Sequence, residues 1–262
     1  MQSSGAFKPH SFKEFVFFKL VLPLLLARKK FLPQQNELMI NIGGGHFFLL
    51  GWKVLDMNTE YYNFREGIID YNYDLTSSSP FPFESESVKL FYSSHTLEHL
   101  QQKFSQRIFD EIYRCLKSGG GVRLTMPDFE KVKNAYLKND KNFFDTYSGH
   151  IENAFLNWFA TYHARQLKSE EICKKIVEMG IYEYANYLVN SIPDDYQKNH
   201  FGHCNWWNYD KASSALKKAG FEKIYKSAPQ QSKFAEMRKK GRFFNSFDHK
   251  LPKLSMYIEA VK

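Results

Sequence analysis

The run Met39-Ile40-Asn41-Ile42-Gly43-Gly44-Gly45 restricts this chain more than any other stretch. A mostly apolar segment of strand length leads straight into three glycines. Glycine lacks a Cβ, so a strand that ends this way can turn at once and lay its backbone against a ligand. Open α/β sheets place nucleotide-like ligands at such strand ends. A glycine triplet also occurs in surface loops, so the segments that follow carry the argument. Trp52-Lys53-Val54-Leu55-Asp56 reads as a second short strand closing on a carboxylate. A carboxylate there can accept hydrogen bonds from both hydroxyls of a ribose.

Further pieces come in order: Tyr73-Asp74-Leu75, Pro80-Phe81-Pro82-Phe83, and Val88 to Leu100 with its Ser94-His95-Thr96-Leu97-Glu98-His99 core. Leu116-Lys117-Ser118-Gly119-Gly120-Gly121 and Val122 to Asp128 complete the set. In this order they resemble the class I S-adenosylmethionine-dependent methyltransferases, most closely the methyltransferase type 11 group. That group's pattern runs Gly-rich turn, acidic strand end, Asp-Leu, Pro-Phe, Ser-x-x-x-Leu-Glu-His, Leu-Lys-Pro-Gly-Gly and Pro-Asp. The likeness is dense over residues 38–130 and thinner beyond. Two positions depart from it. The segment between Gly45 and Trp52 is too short for a full helix, and Ser118 stands where the group has proline.

The resemblance implies an α/β fold. It predicts a Rossmann-like sheet with helices on both faces, an N-terminal helical extension, and a helical insertion after the fifth strand. The expected division is 1–37 for the tail and helix, 38–128 for the cofactor-binding core, 129–199 for the insertion, and 200–262 for the C-terminal part of the fold. The implied cofactor is S-adenosylmethionine. Asn41, Gly43, Gly44 and Gly45 would approach its methionyl and ribose parts, and Asp56 with Met57 the ribose. Asp74 with Leu75 would lie beside the adenine. Ser94 and His95 would face the sulfonium and the acceptor. If the acceptor is a hydroxyl, a histidine is the natural general base near neutral pH. His95 ranks first and His203 second. Asp128 would orient the acceptor, or serve only as a turn residue after Pro127. His99 and Glu98 suit structural roles, Glu98 by satisfying backbone donors in a first helical turn.

Between these motifs the strands are short and apolar, as in a parallel sheet covered on both faces. Leu97, Leu100, Phe104, Ile108, Ile112 and Leu116 recur at helical steps. Gly119 to Gly121 is expected to end that helix, with Val122 to Thr125 the next strand. Residues 129–199 are helical in pattern and aromatic, fit for extra core, for a lid over the acceptor, or for both. Tyr209-Asp210 should open a helix that ends at Ala219-Gly220-Phe221, with Asp210 as its N-cap. Met256 to Val261 resembles a closing strand. His200, His203 and Cys204 lie close together, but a fourth ligand at finger-like spacing is missing, so no metal is expected.

The chain has 262 residues, a net charge of +8, and 25 Phe and 16 Tyr. That aromatic content opposes disorder. The basic balance suits an anionic partner. The Lys and Arg residues are spread rather than blocked, apart from a basic run at Arg238, Lys239, Lys240 and Arg242, and no Asn/Asp-Pro-Pro-Tyr motif is present. Nucleic acid is therefore disfavoured against a small-molecule or glycan-type acceptor, and the resemblance points by association to surface-polysaccharide or secondary-metabolite pathways. An inactive binding or scaffold relative, or an RNA or protein methyltransferase, stands as the alternative. The oligomeric state is open. Three separated cysteines imply no disulfide framework and a reducing, cytoplasmic setting. Residues 12–31 are rich in apolar residues with basic flanks, and their uninterrupted apolar part is too short to span a bilayer, which needs about 20 residues. They fit a helix packed on the catalytic domain, or an interfacial helix at the inner face of an anionic membrane.

Overall fold

The computed structural model describes residues 37–44, 51–58, 69–144, 149–196, 202–238 and 253–262, together with the isolated residues 16, 20, 21 and 24. Most of the expected N-terminal helix, Gly45, His200 and most of the basic run beyond Arg238 therefore lie outside the described residues. Among the described residues, no helix is long and apolar enough to cross a membrane.

Seven strands form one sheet: β1 (Leu38–Ile42), β2 (Lys53–Asp56), β3 (Tyr71–Asn72), β4 (Val88–Ser94), β5 (Leu116–Pro127), β6 (Lys223–Lys226) and β7 (Ser255–Val261). Their order is β3-β2-β1-β4-β5-β7-β6. The β3, β2, β1, β4 and β5 ladders are parallel, and β7 runs antiparallel between β5 and β6. This is a Rossmann-like α/β sheet. The chain winds outward from β1 through β2 to β3, then returns to the other side of β1 to lay down β4. That reversal opens a crevice beyond the carboxyl ends of β1 and β4. Met39, Ile40, Asn41 and Ile42 are all buried, as a central parallel strand requires.

Helix α1 (Gln102–Cys115) buries Ser105, Ile108, Phe109, Ile112 and Cys115. With α7 (Tyr209–Lys218) it covers one face, where Ile40, Ile42, Phe91, Val122 and Ile258 meet Phe109, Trp207 and Leu216. On the other face, Met39, Trp52, Leu90 and Tyr92 pack with Met237 from the turn Ala235–Arg238 and with Phe234. Phe81 and Phe83 of the Pro-Phe segment enter the first core. The Phe81 N–H donates to Glu111 of α1 at 2.6 Å, which pins that loop to the helix.

The insertion is helical: α2 (Phe129–Leu137), α3 (Ile151–Asn157), α4 (Thr161–Ala164), α5 (Ser169–Met179) and α6 (Ile181–Asn190). It has its own core of Phe129, Phe155, Phe159, Tyr184 and Leu188, and that core continues past residue 199 into Cys204, Trp206 and Leu254.

Two local expectations change. The glycines Gly119 to Gly121 do not terminate the helix. α1 stops at Cys115 because Leu116 already adopts extended backbone and pairs with Val88. The glycines lie inside β5, where Gly121 pairs with Leu90 and Val261 and a Cβ on it would run into the Phe234 ring. Asp210 is not the N-cap of α7. Asn208 is, with its side chain accepting from the Lys211 N–H at 2.9 Å, and Asp210 falls within the first turn.

Candidate active site

The crevice is built on Gly43. Its φ is +62°, and its N–H donates to the Leu55 carbonyl at 2.9 Å. A Cβ here would overlap the Thr96 side chain, so glycine is required both by the left-handed backbone and by the close approach of the turn after β4. Thr96 Oγ1 lies 3.3 Å from the Gly43 carbonyl oxygen and 3.3 Å from that of Ser94. Ser93 Oγ donates to the Ile42 carbonyl at 3.2 Å. The ends of β1 and β4 are thus tied together around the crevice. Thr96 went unnoticed in the sequence, since its importance comes from a neighbour fifty-odd positions away. Gly44 is also tight: its Cβ would stand 2.6 Å from Val54 Cγ1 and 3.1 Å from Asn41 Nδ2. Asn41 is buried within β1, directly under that turn.

Asp56 ends β2 beside this turn, and its carboxylate accepts from the Met57 N–H at 2.8 Å. Met57 is 38% exposed. Asp74 is exposed after β3, and its Oδ1 accepts from the N–H and the hydroxyl of Thr76 at 2.8 and 2.7 Å. Leu75 is buried in the core behind it. Ser94 Oγ and Thr125 Oγ1 share a hydrogen bond of 2.7 Å between β4 and β5. Asn41, Gly43, Gly44, Asp56, Met57 and Ser94 therefore come from the carboxyl ends of the adjacent strands β2, β1 and β4, with Asp74 and Leu75 on the loop after β3.

His95 leaves β4 with a φ of +51°, in the left-handed region that side chains rarely adopt. Such strain costs about 1–3 kcal/mol and concentrates at functional positions. Its N–H donates to the Thr125 carbonyl at 2.9 Å. One ring nitrogen, Nε2, is 2.8 Å from Ser255 Oγ, and the other, Nδ1, is 3.0 Å from Glu98 Oε1. Glu98 is 1% exposed. Burial disfavours its charge, but attraction and hydrogen bonding from His95 outweigh that and hold the carboxyl at about 2. The backbone role expected for Glu98 is absent. Oε2 has no hydrogen-bond partner among the described residues, and the carboxylate points instead to the histidines.

His203 joins the same cluster, its ring centroid 4.7 Å from that of His99. Burial, with repulsion from His99, lowers its pKa to about 4, so its imidazole is neutral at pH 7. His99 Nδ1–H donates to the Gly202 carbonyl at 3.2 Å. Asp128 caps α2, accepting from the Glu130 N–H at 3.1 Å, and burial raises its pKa. It is a helix cap on the loop after β5, which adds a structural duty to the acceptor role expected of it. Beside it Glu98, Phe129, Trp158, Trp206 and Trp207 close around a gap too tight for a water molecule. Lys211 Nζ sits 4.1 Å over the Trp206 ring and donates to Asn205 Oδ1 and the Trp206 carbonyl, each at 2.9 Å. Burial lowers its pKa to about 7. Cys204 is also near, but burial raises its thiol to about 12, so it stays protonated.

Residues 56–124, from the end of β2 into β5, match the family model described as a methyltransferase domain. That segment reads as part of a methyltransferase domain. The glycine turn on Gly43 and Gly44 lies ahead of the matched segment, at the end of β1. No curated protein matches the chain. Among solved structures, the chain is similar to Haemonchus contortus phosphoethanolamine N-methyltransferase 2 in complex with S-adenosyl-L-methionine, at 16% identity and a TM-score of 0.41, covering 95% of this chain and 56% of that one. It is similar to a SAM-dependent methyltransferase from Archaeoglobus fulgidus, at 12% identity and a TM-score of 0.45, covering 96% and 100%. A third likeness is to a SAM-dependent methyltransferase from Mesorhizobium loti, at 14% identity and a TM-score of 0.45, covering 91% and 96%. The chain spans 53% and 56% of the length of the two Haemonchus structures it matches.

Proposed function

We propose that the chain transfers a methyl group from S-adenosylmethionine to a small-molecule or glycan-precursor acceptor, at oxygen or nitrogen. The observation that carries this reading is the crevice itself: a left-handed glycine at the end of β1, and a carboxylate at the end of β2, at the point where strand order reverses. The bound cofactor supplies a methyl group on a sulfonium, already a good leaving group. The chain's own work is placement. Asp56 offers acceptor oxygens for the ribose hydroxyls. Asp74, with Leu75 behind it, would take the adenine side, and Asn41, Gly43, Gly44 and Met57 the ribose and methionyl side. Ser94 and His95 then border both cofactor and acceptor, next to the packed aromatic side chains of Phe129, Trp158 and Trp206. His95, held by Ser255 and Glu98, touches the acceptor's hydroxyl or amine. Asp128 and His203 would act on the acceptor from the insertion side.

Calorimetric titration of S-adenosylmethionine and S-adenosylhomocysteine into the wild type and into Asp56→Ala tests this. Micromolar binding by the wild type is expected, weakened at least about tenfold in the variant, because a hydrogen bond to a charged group contributes about 1.5–3 kcal/mol. Folded wild type that binds neither ligand overturns the reading.

We place the chain in the cytoplasm, with residues 12–31 as a peripheral contact to anionic lipid. The support is the basic-flanked apolar pattern and the exposure of Leu20 (60%) and Leu24 (71%). Flotation with anionic vesicles that fails to carry the protein refutes the lipid contact alone.

A further inference from the structure

Glu98, His99 and His203 each offer one ligand atom, and these atoms lie within 4.8 Å of one another. Two observations distinguish them from an ordinary polar cluster. First, Glu98 Oε2 and His203 Nδ1 are buried with no hydrogen-bond partner among the described residues. A buried polar atom left this way costs about 1–3 kcal/mol, and more when charged. Second, the histidines are already oriented from behind. His99 Nδ1–H is held by the Gly202 carbonyl, which leaves the other ring nitrogen as a lone pair. The His203 ring packs against the Trp158 ring, centroids 5.6 Å apart, and its Nδ1 has no hydrogen-bond partner among the described residues. Glu98 Oε1 is fixed by His95, which is fixed in turn by Ser255 Oγ. Imidazoles and carboxylates that ligate a cation are held in this way, through the atom that does not touch the ion.

We infer that Glu98, His99 and His203 bind one divalent first-row transition cation, with Zn²⁺ the best fit to two nitrogens and one carboxylate oxygen. His95 and Ser255 form the outer support. A tetrahedral ion with bonds of about 2.0–2.1 Å holds its ligands about 3.3 Å apart, so the site must contract, by rotation of the side chains. Hard cations such as Mg²⁺ and Ca²⁺ prefer all-oxygen shells and are excluded by the two imidazoles. Three protein ligands leave a fourth position for water or an acceptor atom. Glu98 also packs beside these aromatic side chains, so the ion would join the turn after β4 to the segment that returns from the helical insertion. The inference does not depend on the methyl-transfer reading, because its readout is the cation alone.

The test uses the full chain without a polyhistidine tag, stripped with a chelator. Calorimetry with Zn²⁺ should give one ion per chain at micromolar affinity or tighter. Co²⁺ in the wild type should shift the ring protons of two of the nine histidines strongly by NMR. The double variant His99→Gln/His203→Gln should lose the tight site. His95→Gln, which removes none of the ion's three ligands, should weaken it about 10–100-fold. Near-UV circular dichroism checks that each variant is folded. Two results would overturn the inference: folded wild type that takes up no ion, or tight binding that survives unchanged in the folded double variant. Because the Co²⁺ measurement needs no variant, shifts on no histidine, or on histidines other than His99 and His203, also overturn it if the double variant fails to fold.

Discussion

Arg123 and Glu259 face one another in register across β5 and β7, with Nη1 2.8 Å from Oε1 and both side chains fully buried. The guanidinium also donates to Ser227 Oγ and to the carbonyls of Gln231 and Ala228, and Glu259 Oε2 accepts from the Lys233 N–H. One ion pair therefore holds the loop after β6 against the sheet. Removing one partner leaves the other buried and uncompensated. Arg123→Met should destabilise the chain by about 3–5 kcal/mol. Urea denaturation checks this, and a loss below 1 kcal/mol would contradict it. Arg123→Met/Glu259→Gln should lose less than the sum of the two single variants, since neither charge is then stranded.

Gly43→Ala places a Cβ in the left-handed region and against Thr96. The backbone alone costs about 1–2 kcal/mol. Adding Thr96→Ala removes the two nearest obstructing atoms and should recover part of the loss, but not the backbone share. Melting curves of the two variants measure the difference. S-adenosylhomocysteine titration should show weakened binding in both, because the turn itself shifts.

The cap of α7 separates two neighbouring residues that look equally suited to it. Asn208→Ala should cost about 1 kcal/mol, the usual value of an N-cap side chain. Asp210→Ala should cost only a few tenths, the contribution of a first-turn carboxylate to the helix dipole. Chemical denaturation of the pair decides it, and equal effects would return the cap to Asp210.

His163 is half-buried in the insertion, with Nε2 3.1 Å from the Leu188 carbonyl oxygen and 3.0 Å from Ser191 Oγ. Burial lowers its pKa below the ordinary 6.5. The unfolded chain therefore takes up this proton first as pH falls. The stability linked to His163 is present above pH 6.5 and is lost as pH drops through the folded-state value. Wild type should lose stability over that window more steeply than His163→Gln. Denaturation midpoints measured between pH 7 and pH 5 supply the two slopes, and parallel slopes would refute the assignment.

The amino-acid sequence by itself determined the sheet's central strands, the glycine turn on Gly43 and the carboxylate of Asp56. Each is a local device: an apolar run, a residue without a Cβ, a polar residue where a strand stops. The buried face of α1 was equally plain, because Ile108 and Ile112 recur at the helical period. The tertiary structure decided what proximity alone can decide. Gly119 to Gly121 read as a helix stop but lie within β5, because β4 and β7 offer partners on both sides. Asn208 caps α7 rather than Asp210, because its extended backbone aims the side chain at the Lys211 N–H. His203 was weighed with His200 and Cys204, its neighbours in sequence. Folding instead sets it against Glu98 and His99, which leave β4 before the helical insertion begins. No spacing rule reaches across that insertion, and the cluster exists only because the insertion returns its chain to the sheet's edge.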